Sequence, residues 1–98
     1  MNLHAQPPLL PPGIYQAVAR NAETHPEAKL VLIYDPEQLA TVCGIAQDGQ
    51  IIFWSVRMPT TEEMARELLL SEMRRGNVKE DEMIFLNMRE RPTLEVVN

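Results

Sequence analysis

The most regular apolar pattern in the chain lies on either side of the dipeptide Asp48-Gly49. Residues 40–47 and 50–57 are two mainly apolar runs, and the second is rich in β-branched and aromatic side chains, which favour strands. Asp-Gly supplies the two positive-φ positions of a tight type I′ turn. The sequence therefore predicts a β-hairpin, around which the other elements are arranged.

A two-residue turn sets the predicted register of this hairpin, with Cys43 opposite Trp54 and Gly44 opposite Phe53. Alternation then places Thr41, Cys43, Ile45, Ile52, Trp54 and Val56 on one face and Val42, Ala46, Ile51 and Phe53 on the other. Neither face is polar, although a hairpin with one solvated face should alternate between apolar and polar residues. Both faces are expected to be covered by helices, a second subunit or a partner, and a one-residue register shift would exchange the assignments.

Two segments carry apolar residues at helical spacing. The first covers residues 12–24 and ends there because Pro26 keeps the preceding residue out of the α region. The second is predicted to open at Thr60, which with Glu63 three residues later matches a capping box. The predicted buried stripe of this second helix consists of Met64, Ala65, Leu68, Leu69 and Met73.

Two further runs predict strands. Residues 30–34 are a continuous β-favouring run, which predicts a central strand over residues 29–34, and residues 83–88, after the second helix, predict the last strand. The element order is then α-β-β-β-α-β. We expect a single α+β domain over residues 13–98, with a four-stranded mixed sheet packed by two helices, preceded by an extended proline-rich arm over residues 1–12.

The length, net charge and cysteine content of the chain disfavour several classes of protein. The 98 residues, 45% of them hydrophobic, suffice for one domain. A net charge of −5 disfavours binding to nucleic acid or anionic membranes through the overall field. No run approaches the roughly 20 apolar residues of a membrane span, and the N-terminus does not resemble a signal peptide. A single cysteine agrees with a reducing compartment, so a cytoplasmic location is predicted.

Catalytic and metal-binding patterns are weak. Cys43 is the only thiol, and it lies in the middle of a predicted strand, where a free cysteine usually behaves as a small hydrophobic residue. His4 falls in the arm and His25 at a helix end, so a Cys-His pair has no local signature. Neither a nucleotide-binding loop nor a metal-ligand spacing is present. The sequence predicts no cofactor, no metal site and no enzymatic activity.

Four arginines depart from the acidic average: Arg74, Arg75, Arg89 and Arg91. One interpretation is a patch that binds phosphates or an acidic partner. The simpler one is that Arg74 and Arg75 complement the C-terminal dipole of the second helix, while the other two are solvated charges at a strand end. The simpler interpretation is preferred.

Three functional hypotheses follow from these patterns. The first is a non-catalytic protein-protein interaction module, such as a regulator, adaptor or inhibitor, that docks through an apolar sheet face or edge. Its candidate contact residues are Trp54, Phe53, Ile52 and Cys43, with Trp54 as the main anchor. A homodimer is modestly favoured, with a different protein partner as the alternative and a plain monomer close behind. The alternatives are a nucleic-acid-associated regulator using the arginine patch and, weakest, a small enzyme using Cys43.

Overall fold

Two α-helices and four β-strands form the described part of the chain, residues 10–88 of a computed structural model. The elements are α1 (Pro12–Thr24), β1 (Leu30–Asp35), β2 (Ala40–Gln47), β3 (Gln50–Arg57), α2 (Glu62–Arg74) and β4 (Met83–Asn87). One turn of 3-10 helix, Glu80–Glu82, precedes β4. The predicted α-β-β-β-α-β order is confirmed. Most of the proline-rich arm, residues 1–9, lies outside the described residues.

The four strands form one mixed sheet in the order β3-β2-β1-β4. β2 is antiparallel to both β1 and β3, whereas β4 is parallel to β1. All six residues of β1 are buried, which confirms that this continuous apolar run is a central strand. Within residues 10–88, β3 and β4 are therefore the two edges of the sheet.

The helices cover opposite faces of the sheet, because β1 is apolar on both sides. Val31 and Ile33 point into a larger core with α1, whereas Leu32 and Tyr34 point into a smaller core with α2. From α1 the larger core takes Ile14, Tyr15, Ala17, Val18 and Ala22. The smaller core contains the buried Ala65 of α2, packed with the partly buried Leu68, Leu69 and Phe85.

The hairpin register matches the prediction at the turn but not beyond it. Ala46 pairs with Ile51, and a β-bulge then leaves Ile52 without a direct partner. Beyond the bulge the pairs are Ile45 with Phe53, Gly44 with Trp54, Cys43 with Ser55, Val42 with Val56 and Thr41 with Arg57. The predicted face assignment of Trp54 and Phe53 is therefore wrong: Trp54 faces α1, and Phe53 faces the side of α2.

The bulge places both Ile51 and Trp54 on the α1 face, where a regular strand would place only one of them. Gly44 makes this packing possible. A Cβ atom at Gly44 would lie 2.8 Å from Cδ1 of Ile51 and 2.8 Å from Cγ1 of Val18. Trp54 packs edge to face against Tyr15, with ring centroids 5.3 Å apart and an interplanar angle of 72°. The register thus follows the contacts that α1 makes.

The N-terminus of α2 also differs from the prediction. Thr61, not Thr60, is the N-cap, and its hydroxyl accepts a hydrogen bond from the Met64 amide at 3.2 Å. Thr60 is buried, and its hydroxyl lies 2.8 Å from that of Thr41. Its amide also donates to the Leu39 carbonyl at 2.7 Å. The capping box predicted at Thr60 is wrong because this residue anchors the chain to the sheet.

The predicted buried stripe of α2 is correct only in part. Ala65 is buried, and Leu68, Leu69 and Met73 are partly buried, but Met64 is 51% exposed. Met64 instead lines a groove together with Thr60 and Arg57, the last residue of β3. Gly76 follows the helix with φ of 78°, the left-handed conformation in which many helices end.

Candidate functional site

Three exposed apolar side chains lie together on the α2 side of the hairpin: Ile45, Ile52 and Phe53. Ile45 and Phe53 are direct cross-strand neighbours, and Ile52 is the bulged residue beside them. Phe53 is 59% exposed, the highest fraction among the large exposed hydrophobic residues within residues 10–88. These side chains stay uncovered because the core beneath α2 is built on β1 and β4, not on the hairpin. We call these three residues the hairpin patch.

A groove of about 700 Å³ adjoins the hairpin patch and has an acidic rim. Its lining includes Ile45, Ile52 and Val78, together with the carboxylates of Glu27, Asp48, Glu72 and Glu82. Lys29 is the one basic residue in the lining, and its Nζ atom pairs with Glu82 at 3.1 Å. Within residues 10–88, Glu27 and Asp48 have no ion-pair partner. The groove therefore joins an apolar surface to net negative charge.

Glu82 is held as a carboxylate by its neighbours. The backbone amide of Lys79 donates to Oε1 of Glu82 at 3.0 Å, and the ammonium of Lys29 binds Oε2. These two interactions, the amide first, lower the pKa of Glu82. Glu82 therefore contributes a stable negative charge at neutral pH.

Cys43 is partly buried on the same side of the sheet, and the charges of Glu72 and Arg57 act on its thiol. Burial, reinforced by the negative charge of Glu72 and opposed by Arg57, raises the pKa of the Cys43 thiol to about 11. The thiol is therefore protonated at neutral pH, whereas a nucleophilic cysteine needs a thiolate. His25 ends α1 on the opposite face of the sheet, with its Nδ1 atom 3.1 Å from the Asn21 carbonyl. The structure does not bring a histidine of residues 10–88 to Cys43.

Trp54, the anchor predicted from the sequence, belongs to the core under α1. Its ring packs on Tyr15, which is fully buried. Burial raises the pKa of Tyr15, and its hydroxyl has no hydrogen-bond partner among the described residues. Of the predicted contact residues, Phe53 and Ile52 are exposed, Cys43 is partly buried beside them, and Trp54 faces the other way.

The arginine patch is only partly described. Arg74 lies 3.7 Å from Glu67, and Arg75 lies 3.3 Å from Glu72, so each guanidinium has an acidic neighbour on its own helix. Arg89 and Arg91 lie outside the described residues. Arg74 and Arg75 thus form ordinary exposed ion pairs at the C-terminal end of α2.

Sequence reasoning missed a second groove, of about 260 Å³, between α2 and the end of β3. It is lined by Arg57, Thr60, Met64, Glu67, Leu68, Ser71 and Arg74. The signal for it in the sequence is the methionine at position 64, whose helical spacing predicts a core position. Arg57 is exposed and has no ion-pair partner among the residues described.

No group of three or more histidine, cysteine, aspartate or glutamate side chains within residues 10–88 is placed to hold a metal ion. In the same range, none of the helices is long and apolar enough to cross a membrane. Comparisons of the chain with protein-family models, with curated proteins and with solved structures gave no match.

Proposed function

We propose that this chain is a non-catalytic protein-protein interaction module that docks through the hairpin patch and the adjoining β3 edge. The observation that carries the proposal is the exposure of Phe53 beside Ile45 and Ile52. Fully burying an exposed large apolar side chain contributes roughly 1.5–3 kcal/mol, and the three side chains of the patch keep about half of their surface exposed, so covering all three contributes to association. Contiguous exposed apolar surface on a small domain is typical of an interface.

The position of the patch on an edge strand supports the same function. In the described part of the chain β3 ends the sheet, so its outer backbone groups are available to a further strand, and side chains on one face of that strand would contact the patch. Main-chain pairing provides affinity in this mode, and the side chains provide specificity. Regulators, adaptors and inhibitors use such surfaces without any chemical step.

Site-specific photo-crosslinking in the source cell tests the proposal. A photoreactive phenylalanine analogue at position 53 should give a discrete crosslinked product, because this side chain would lie inside the interface. Leu70 of α2 is the matched control, since it is apolar and 44% exposed but lies outside the hairpin patch. Equal crosslinking from both positions, or none from position 53, would contradict the proposal.

A further inference from the structure

We infer that the partner of the hairpin patch is a second copy of this chain, which pairs with β3 edge to edge about a twofold axis at Ser55. The inference rests on the docking function proposed above and names its partner. Three observations support it. The β3 edge is open, the bulge limits the register in which two copies can pair, and the side chains that this register brings together are complementary.

The edge is open along its whole length within the described structure. Every residue of β3 retains some exposure, whereas all six residues of β1 are buried. The six residues from Ile51 to Val56 contain no proline and no charge, the devices that usually protect an edge. The other edge, β4, carries none of the exposed large hydrophobic residues. β3 is therefore the edge suited to a further strand.

The bulge determines which register is available. Ile52 interrupts regular geometry, so residues 53–57 form the regular part of the edge. An antiparallel, self-complementary pairing of this segment centres on Ser55 and sets Trp54 against the partner's Val56. Trp54 and Val56 both pack against the core under α1, so the paired side chains lie on the same face, as a sheet requires.

The same register sets Phe53 against the partner's Arg57, twice in the dimer. Directly paired residues have Cβ atoms about 4.5–5.5 Å apart, which allows a guanidinium to cover an aromatic ring. This chain already makes such a contact, with the guanidinium carbon of Arg66 lying 4.5 Å from the centroid of the Phe85 ring. Arg57 is exposed and has no ion-pair partner within residues 10–88.

The charges at the two ends of the surface are also complementary. The groove beside Ile52 has an acidic rim that includes Glu72, and Arg57 lies at the opposite end of β3. A twofold axis at Ser55 reverses the direction of the strand. It therefore carries Arg57 of each copy towards the acidic end of the other copy.

Paired charge variants test the register. Phe53→Arg places like charges opposite each other, and Arg57→Glu removes the cation from Phe53, so each variant alone should dimerise about tenfold more weakly than wild type. In an equimolar mixture, the introduced arginine meets the introduced glutamate while the native Arg57 still meets the native Phe53. The mixture should therefore recover near-wild-type association in sedimentation velocity. A mixture that associates no better than either variant alone would overturn the inference.

A disulfide tests the position of the axis. In a Cys43→Ala background, Ser55→Cys places two thiols opposite each other at a separation that a disulfide can span, and mild oxidation should give a covalent dimer. Gln50→Cys is the control, because it is exposed on the same strand but five residues from the axis. Equal or stronger crosslinking through position 50 would show that the register is wrong.

The outcomes separate this inference from the docking function. Wild-type chain that stays monomeric from micromolar to submillimolar concentration overturns the second-copy inference. If the crosslinker at position 53 then captures a different protein, the docking surface stands with another occupant. If the crosslinker captures nothing, both proposals fail.

Discussion

The adjacent residues Trp54 and Phe53 provide the sharpest test of the fold, because the bulge assigns them opposite roles. A large aromatic side chain in a core buries roughly 200 Å². Trp54 is partly buried, so roughly two thirds of that area, at about 25 cal/mol per Å², contributes about 3 kcal/mol. Its edge-to-face contact with Tyr15 adds about 0.5–1.5 kcal/mol. We expect Trp54→Ala to lower the free energy of unfolding by about 3.5–4.5 kcal/mol.

Phe53→Ala should cost under about 1 kcal/mol, because the ring is 59% exposed and loses only part of its cross-strand contact with Ile45. The assay is urea unfolding followed by far-UV circular dichroism, since Trp54 is the only tryptophan and its removal eliminates the fluorescence signal. Low micromolar protein keeps self-association out of the comparison. Unchanged m-values show that both variants lose stability rather than structure.

The reasoning is refuted if Phe53→Ala costs as much as Trp54→Ala. That result would mean that the hairpin follows the regular two-residue register, in which Phe53 shares the face of Val42 and Ile51. The tryptophan emission of Phe53→Ala provides an independent check. It should match that of the wild-type chain, because Trp54 lies on the other face of the sheet.

Three further predictions concern single sites. Gly44→Ala should cost about 1–3 kcal/mol through overpacking, whereas Gly13→Ala, with nothing within 4 Å of the added Cβ atom, should be neutral or stabilising; equal effects in urea unfolding would contradict the packing described. Thr60→Ala should cost about 1–3 kcal/mol, because it leaves a buried threonine hydroxyl unpaired, and a neutral result would indicate a solvated cap instead. Cys43, with its pKa raised to about 11, should react with iodoacetamide at pH 7 about a hundredfold more slowly than an ordinary thiol. Glu72→Gln should accelerate this reaction, since removing a negative charge lowers the thiol pKa; a slower reaction would show that the sign is wrong.

The sequence alone was sufficient to predict the order of the helices and strands and most of the residues at which they begin and end. Asp48-Gly49 marks a turn by its own backbone preferences, and the predicted limits 40–47 and 50–57 coincide with the observed strands. The unbroken apolar run of β1 likewise predicts a strand buried on both sides. These features depend on local propensity and on alternation over a few residues, which are present in the sequence itself.

Finer features at element ends depended on the tertiary structure. Two consecutive threonines precede α2, and either has the chemistry of an N-cap. Thr60 does not cap the helix, because its hydroxyl is hydrogen-bonded to the hydroxyl of Thr41. Thr41 is distant in sequence and becomes a neighbour only in the folded sheet. The exposure of Met64 also became visible only in the folded chain, where this side chain lines a groove with Arg57 and Thr60 instead of joining the core under α2.

The candidate site was likewise predicted in part from the sequence and decided in part by tertiary packing. An apolar hairpin on an acidic chain predicts a docking surface, but alternation alone assigns Trp54 to it and cannot locate the bulged residue. That choice is made by the packing of α1, whose Val18 and Tyr15 occupy the space over Gly44 and beside Trp54. A bulge costs the strand one pairing position and is compensated by contacts between segments remote in sequence. The identity of the exposed aromatic residue, Phe53, was therefore decided only when helix and sheet packed together.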